Sequence, residues 1–229
     1  MHFTISNFVA FSTPLEGVVP HMYLDRLGLV TCAMGNLIDP YGPTVTALPW
    51  RYGSTLVPYA NALAVATEWD VTKRSGKAGT GGGNQAAGKN LFLDADGIQQ
   101  TVSGQLASNE ARLSALFPDW DSLHTEAQLA CHSMVWAMGA GELAKWARFC
   151  SAIRIADYRE AANQSRMRPY TGDGSLERRN NANLTLLVDA AYASENSLLS
   201  LAYSDDQLAR LAAGTLPVIS HWRDDGTWL

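Results

Sequence analysis

The chain has 229 residues, 47% hydrophobic and 17% charged, with a net charge of −5. That length buries a core as one large domain or two small lobes without staples. The acidic balance gives no general attraction to nucleic acid or anionic membranes, and no apolar run approaches the roughly 18 residues of a stable membrane span.

Cys32, Cys131 and Cys150 are odd in number and far apart, which argues against a disulfide framework and for synthesis in a reducing cytoplasm. The opening MHFTISNFVAFSTP lacks the basic region and apolar length of a classical signal peptide, so export needs another route. Ile5, Phe8, Val9 and Phe11 make a helix-like apolar face, with Ser6 as candidate N-cap. Pro14 interrupts it. Either the helix kinks there or Pro14 opens a new turn capped by Thr13, and both options leave Glu16 at a helix C-terminal end. The negative end of the helix dipole and the neighbours Leu15, Val18 and Val19 disfavour an ionised carboxylate there.

His21 to Leu24 reads as a strand, Asp25-Arg26-Leu27-Gly28 as a turn with Gly28 at positive φ, and Leu29 to Met34 as the returning strand. Asp25 then closes the first strand, Thr31 lies nearly opposite, and the two share a pocket facing Glu16. Two carboxylates of unlike surroundings beside a hydroxyl suit glycoside hydrolysis, where one acid protonates the leaving oxygen and the other activates water or attacks. On spacing alone a solvated helix-end acid is the commoner reading of Glu16.

Residues 37–56 are rich in Pro and Gly and read as loops with room for one more strand; Trp50 and Tyr52 either edge a cleft or cap a core. Apolar spacing from Thr55 to Lys73 predicts a long helix bridging two lobes. Arg74 to Asn90 is the low-complexity segment. Gly83 to Lys89 has the spacing of a phosphate-binding loop, but Asn90 stands where Ser or Thr is required and no apolar strand precedes it, so an insertion is the better reading. Leu93 to Phe117 is helical, with Asp94 and Asp96 near its start and Pro118 as its stop. Thr125 to Met138, apolar all round, predicts a helix buried at the centre of the larger lobe and ended by Gly139 and Gly141. Helices follow at Glu142 to Ile155, Asp157 to Arg166 and Ser175 to Ala193, and the tail from Ser194 alternates helical stretches with turns.

Other chemistries fit poorly. Cys131 lies mid-helix with His132 pointing elsewhere, and Cys32 alternates away from Thr31, against a cysteine amidase. The five histidines are scattered without ligand spacing, against a zinc amidase.

Glu16-Gly17, Tyr23, Asp25, Gly28, Thr31 and Gly35 resemble the active-site signature of the phage-type lysozymes, the T-even endolysin family. SMVWAMGAG (Ser133 to Gly141) is similar to the family's central helix, and DYREAANQSRM (Asp157 to Met167) with SLERRNNA (Ser175 to Ala182) resembles its last helical segments, in the same order. The resemblance, which spans residues 3–192, implies an α+β, mainly helical lysozyme-like fold with a small β-hairpin lobe (1–55), a bridging helix (56–73) and a larger helical lobe (91–193); the Gly-rich insertion (74–90) and an extension (194–229) with no match in the family complete a single domain over 1–229. It implies Glu16 as general acid, Asp25 as base and Thr31 holding the water, and a sugar cleft drawing on Gly35, Asn36, Trp136, Arg178 and Arg179, with Arg178 the better placed arginine. The sequence departs at Ala33 and Asn36, where many members carry Gly and His.

The activity implied is a muramidase cleaving the β-1,4 bond between N-acetylmuramic acid and N-acetylglucosamine in peptidoglycan, with no metal or organic cofactor. Lys73, Arg74, Lys77 and Lys89 would meet acidic groups of the wall polymer if the insertion overhangs the cleft; otherwise it is a solvated loop. The stretch around ALPWRYG, the insertion and the tail are more similar to lysozyme domains of type VI secretion effectors, which act in a rival's periplasm and meet an immunity protein or secretion component, than to an endolysin released by a holin. The alternative is a non-catalytic lysozyme-fold module that grips glycan or a partner protein.

Overall fold

A computed structural model describes residues 3–25, 27–53, 57–76, 90–168, 176–198 and 200–216, with 57–59 as backbone only. The fold is α+β and mainly helical, its strands gathered in two three-stranded antiparallel sheets. Contacts divide the chain into a hairpin unit, Glu16–Gln105, and a helical unit, Met1–Leu15 with Leu106–Leu229. Among the described residues no helix is long and apolar enough to cross a membrane.

Thr4 starts the first helix. Its hydroxyl accepts from Asn7 N–H at 3.1 Å while the Asn7 side-chain oxygen accepts from Thr4 N–H at 2.9 Å, a reciprocal cap that begins α1, Ile5–Glu16. The cap is therefore Thr4; Ser6 instead donates its hydroxyl to Asp205. Pro14 lies inside α1, which runs on to Glu16 and ends at Gly17, φ 71°.

In the hairpin unit, β1 (Val19–Leu24), β2 (Val30–Ala33) and β3 (Asn36–Leu37) lie side by side, with Tyr23 opposite Thr31 and Leu24 opposite Val30. Alternation sends Met22, Leu24, Val30 and Cys32 into a core shared with Trp50, Val65 and Leu91, leaving Tyr23 and Thr31 on the other face. Trp50 is 1% exposed and donates its indole N–H to Val45 O at 2.8 Å, so it is a core residue, whereas Tyr52 is exposed. Residues 37–53 hold more order than the sequence predicts: a short helix α2 (Pro43–Ala47) and strand β4 (Arg51–Tyr52), which β5 (Val57–Tyr59) and β6 (Leu91–Phe92) flank.

The helix expected from Thr55 begins later, because Val57–Tyr59 is extended around Pro58 and Asn61 caps α3 (Ala62–Arg74) by accepting from Ala64 N–H at 2.9 Å. It lies wholly within the hairpin unit, whose bounds fall inside α1 and inside α4, Ala95–Leu116. Glu68 on α3 accepts from the backbone and side-chain N–H groups of Asn90 at 3.0 and 3.1 Å. Residues 77–89, with the phosphate-loop spacing, Lys77 and Lys89, lie outside the described residues.

In the helical unit, every residue of α5 (Thr125–Met138) from Glu126 to Val135 is buried, and Gly139, φ 84°, ends it. Gly141 falls within α6 (Ala140–Leu143), and the helix expected over 142–155 comes as two, α6 and α7 (Ala147–Arg154). Then follow α8 (Tyr158–Gln164), α9 (Glu177–Glu195) and α10 (Asp205–Ala213). The tail packs on its own unit: Asp205 accepts from Ser6 and, at 2.7 Å, from the Asn7 amide in the first turn of α1. His132 has its Nε2 2.7 Å from Glu110 Oε2, and the Trp120 indole donates to Glu110 Oε1 at 2.8 Å. Burial pushes the Glu110 carboxyl up, but these hydrogen bonds outweigh it and hold the group at about 2. His132 is pushed down by burial against the pull of Glu110.

Asp189, 1% exposed on α9, accepts from the Tyr203 hydroxyl. Burial raises its carboxyl to about 6; the Tyr203 bond lowers it and the Glu126 charge raises it further. An acid raised on folding holds its proton more tightly in the folded chain, so stability is full below the unfolded value near 4 and falls as pH rises through 6. The loss is about 3 kcal/mol, from about 1.36 kcal/mol per unit. We expect Asp189→Asn to remove this slope when urea midpoints are compared from pH 4 to 7; the opposing slope of His132 is common to both proteins and cancels.

Candidate active site

Glu16 is the last residue of α1, and Gly17 turns the chain directly into β1. Its carboxyl lies over the turn between β2 and β3: a Cβ built on Gly35, φ 80°, would stand 3.5 Å from Glu16 Oε2 and 3.9 Å from its Cδ. Asn36 holds that turn. It is 4% exposed, and its side-chain oxygen accepts from Met34 N–H at 3.2 Å, which closes the turn around Gly35. Ala33 enters the turn at φ 52°, a left-handed conformation in which glycine carries no Cβ penalty.

Asp25 lies one residue beyond β1, in the hairpin turn. Its Oδ1 accepts from Leu27 N–H and from Leu29 N–H, both at 2.8 Å, while its own N–H donates to Leu29 O at 2.9 Å. Among the described residues Oδ2 has no partner. Thr31, 3% exposed, donates its hydroxyl to Leu29 O at 3.2 Å, so it is anchored to the carbonyl that also accepts from Asp25. Strand alternation puts Tyr23 and Asp25 on the Thr31 face.

Tyr23 reports on the electrostatics. Burial above all pushes its phenol up to about 12, with the charges of Glu16, Cys32 and Asp25 adding to the shift. Glu16, Asp25, Thr31 and Gly35 all belong to the hairpin unit, with Glu16 beside the turn that follows β2 and Asp25 in the turn that precedes it. The sequence signature includes Tyr23 without giving it a role; its position opposite Thr31 is the signal that assigns it to this face.

Trp136, Arg178 and Arg179 belong to the helical unit. Trp136 is half-buried, its ring centroid 4.8 Å from that of Phe8. Arg178 is exposed in the first turn of α9, whereas Arg179 is 3% exposed and donates to Ser133 O and Oγ at 3.2 and 3.1 Å. The expectation favouring Arg178 thus meets the more solvated of the pair. Lys73 and Arg74, in the hairpin unit, each meet an acidic neighbour: Lys73 is 2.6 Å from Asp39 Oδ2 and Arg74 is 2.9 Å from Asp70 Oδ1.

A comparison of the chain with models of known protein families finds no match, and a comparison with curated proteins finds none.

Gly35 gives a direct test of the turn beneath Glu16. Gly35→Ala should cost about 1–2 kcal/mol in chemical denaturation, because a Cβ is disfavoured at positive φ. Its methyl also narrows the space around Glu16 Oε2.

Proposed function

We propose that the chain is a peptidoglycan hydrolase, a muramidase of the phage-type lysozyme kind, cleaving the β-1,4 bond between N-acetylmuramic acid and N-acetylglucosamine. What supports this reading is the hairpin: Glu16 Oε2 lies beside Gly35 in the turn that follows β2, and Asp25 is clasped by two N–H groups in the turn that precedes it. The ordered sequence resemblance supports it independently.

Glu16 protonates the glycosidic oxygen as the bond to the muramic acid sugar breaks. Asp25, its Oδ1 occupied by Leu27 and Leu29, presents Oδ2 as the base that takes a proton from water, and the Thr31 hydroxyl holds that water. Attack from the opposite face inverts the anomeric carbon if the carboxylates stand about 6.5–9.5 Å apart rather than about 5 Å. The residues named complete this step without a metal or organic cofactor. Such an activity serves bacterial lysis, as an endolysin or as an effector delivered to a rival's periplasm, with an immunity protein or secretion component as a further partner.

Loss of turbidity of purified cell walls is the test. Glu16→Gln should reduce the rate by about 10²–10⁴-fold, the usual worth of a positioned general acid. A wild-type chain that binds walls without clearing them is a binding module and overturns the proposal. Asp25→Asn should lower the rate comparably, and NMR of fresh products should show the inverted anomer; a retained anomer makes Asp25 the nucleophile.

A further inference from the structure

Behind the hairpin, on the side away from Asp25, two charged residues far apart in sequence meet the same turn. Lys73 of α3 donates its ammonium to Gly28 O at 2.9 Å and to Asp39 Oδ2 at 2.6 Å, and Asp39 Oδ2 also accepts from Val30 N–H at 3.0 Å. Asp39 is the more enclosed partner, its side chain 11% exposed.

A peptide group is planar, with its C=O and N–H pointing in opposite directions. Gly28 C=O and Leu29 N–H are two ends of one such plane: Lys73 holds the first and Asp25 Oδ1 accepts from the second. Leu29 C=O and Val30 N–H are the ends of the next plane. Its carbonyl accepts from Asp25 N–H and the Thr31 hydroxyl, and its N–H donates to Asp39. Each peptide therefore has one end on the candidate base or its water-holding neighbour and the other end on the Lys73–Asp39 pair.

We propose that Lys73 and Asp39 are positioning residues for Asp25 and Thr31, acting through these two peptide groups; the part of this that concerns catalysis rests on the muramidase reading. A cation at a carbonyl polarises its peptide and strengthens the N–H at the far end as a donor, and an anion at an N–H strengthens the far carbonyl as an acceptor. Lys73 thus tightens the Leu29 bond to Asp25, and Asp39 tightens the bonds that Asp25 N–H and Thr31 make to Leu29 O. The pair fixes the direction of both side chains without touching them. Through the pair, α3, anchored in the core by Val65, serves as the reference frame for the turn.

The test uses Lys73→Met, Lys73→Arg and Asp39→Asn in the full chain. Lys73→Met and Asp39→Asn should lower kcat about tenfold to a hundredfold, the scale of a small misplacement, with KM within about twofold of wild type. Lys73→Arg should restore most of kcat. In ¹⁵N spectra the Leu29 amide proton should move upfield in Lys73→Met and the Val30 amide proton in Asp39→Asn, while the Val65 amide stays in place and certifies the fold. Unchanged kcat with unchanged Leu29 and Val30 amides overturns the proposal. If the wild type cleaves no glycan, the muramidase reading falls, and the amide shifts alone decide whether the pair orients the turn.

Discussion

A short hairpin turn cannot satisfy its own backbone, and here one carboxylate oxygen meets that need. Asp25 Oδ1 takes two N–H groups that the strands leave unpaired, and the Asp25 backbone closes the turn against Leu29. The group that organises the turn is thereby also the group the turn presents. Everything nearby follows from this double service: Thr31 leans on the same Leu29 carbonyl, Tyr23 stands across from Thr31, and the return strand buries Val30 and Cys32 to hold the register. A one-residue slip would reverse the two faces of β2 and expose its buried set, so core burial and site geometry enforce the same pairing.

Much of this was legible because its signals are local. Gly28 marks the hairpin, alternation around Tyr23 and Thr31 separates its faces, and the unbroken apolar character of Thr125 to Met138 marks the buried helix. Sequence leaves the choice open where two neighbours offer the same chemistry. Thr4 and Ser6 both have hydroxyls, and the choice turns on Asn7 lying three residues after Thr4. Arg178 and Arg179 are adjacent, and only the packing of α9 on α5 decides which guanidinium goes inward to Ser133. The start of α3 was overrun because its apolar spacing continues back past Pro58 and the Asn61 cap. The Lys73–Asp39 pair spans 34 residues and leaves no mark on any periodicity, so only folded coordinates reveal it.

The helical unit solves a different problem, that of enclosing charge. Glu110, His132, Glu126 and Asp189 are tied to named partners on other elements: Trp120, the Ser200 hydroxyl with Leu201 N–H, and Tyr203. Buried polar groups of this kind are expensive when mispaired, so they select one arrangement of helices from the several that a small-residue, alanine-rich surface would tolerate. The extension beyond Ser194 belongs to that arrangement, since Tyr203, Ser200 and Asp205 each close a bond to an earlier helix.

All three thiols, Cys32, Cys131 and Cys150, are unpaired and no more than 1% exposed, and burial pushes each above its ordinary value, Cys32 to about 12. Exchange and oxidation proceed through an accessible thiolate, which this chain does not offer at neutral pH. Its covalent framework is therefore indifferent to the electron-transfer poise of whatever medium surrounds it, so the folded chain neither gains nor loses a crosslink on passing between media of opposite poise.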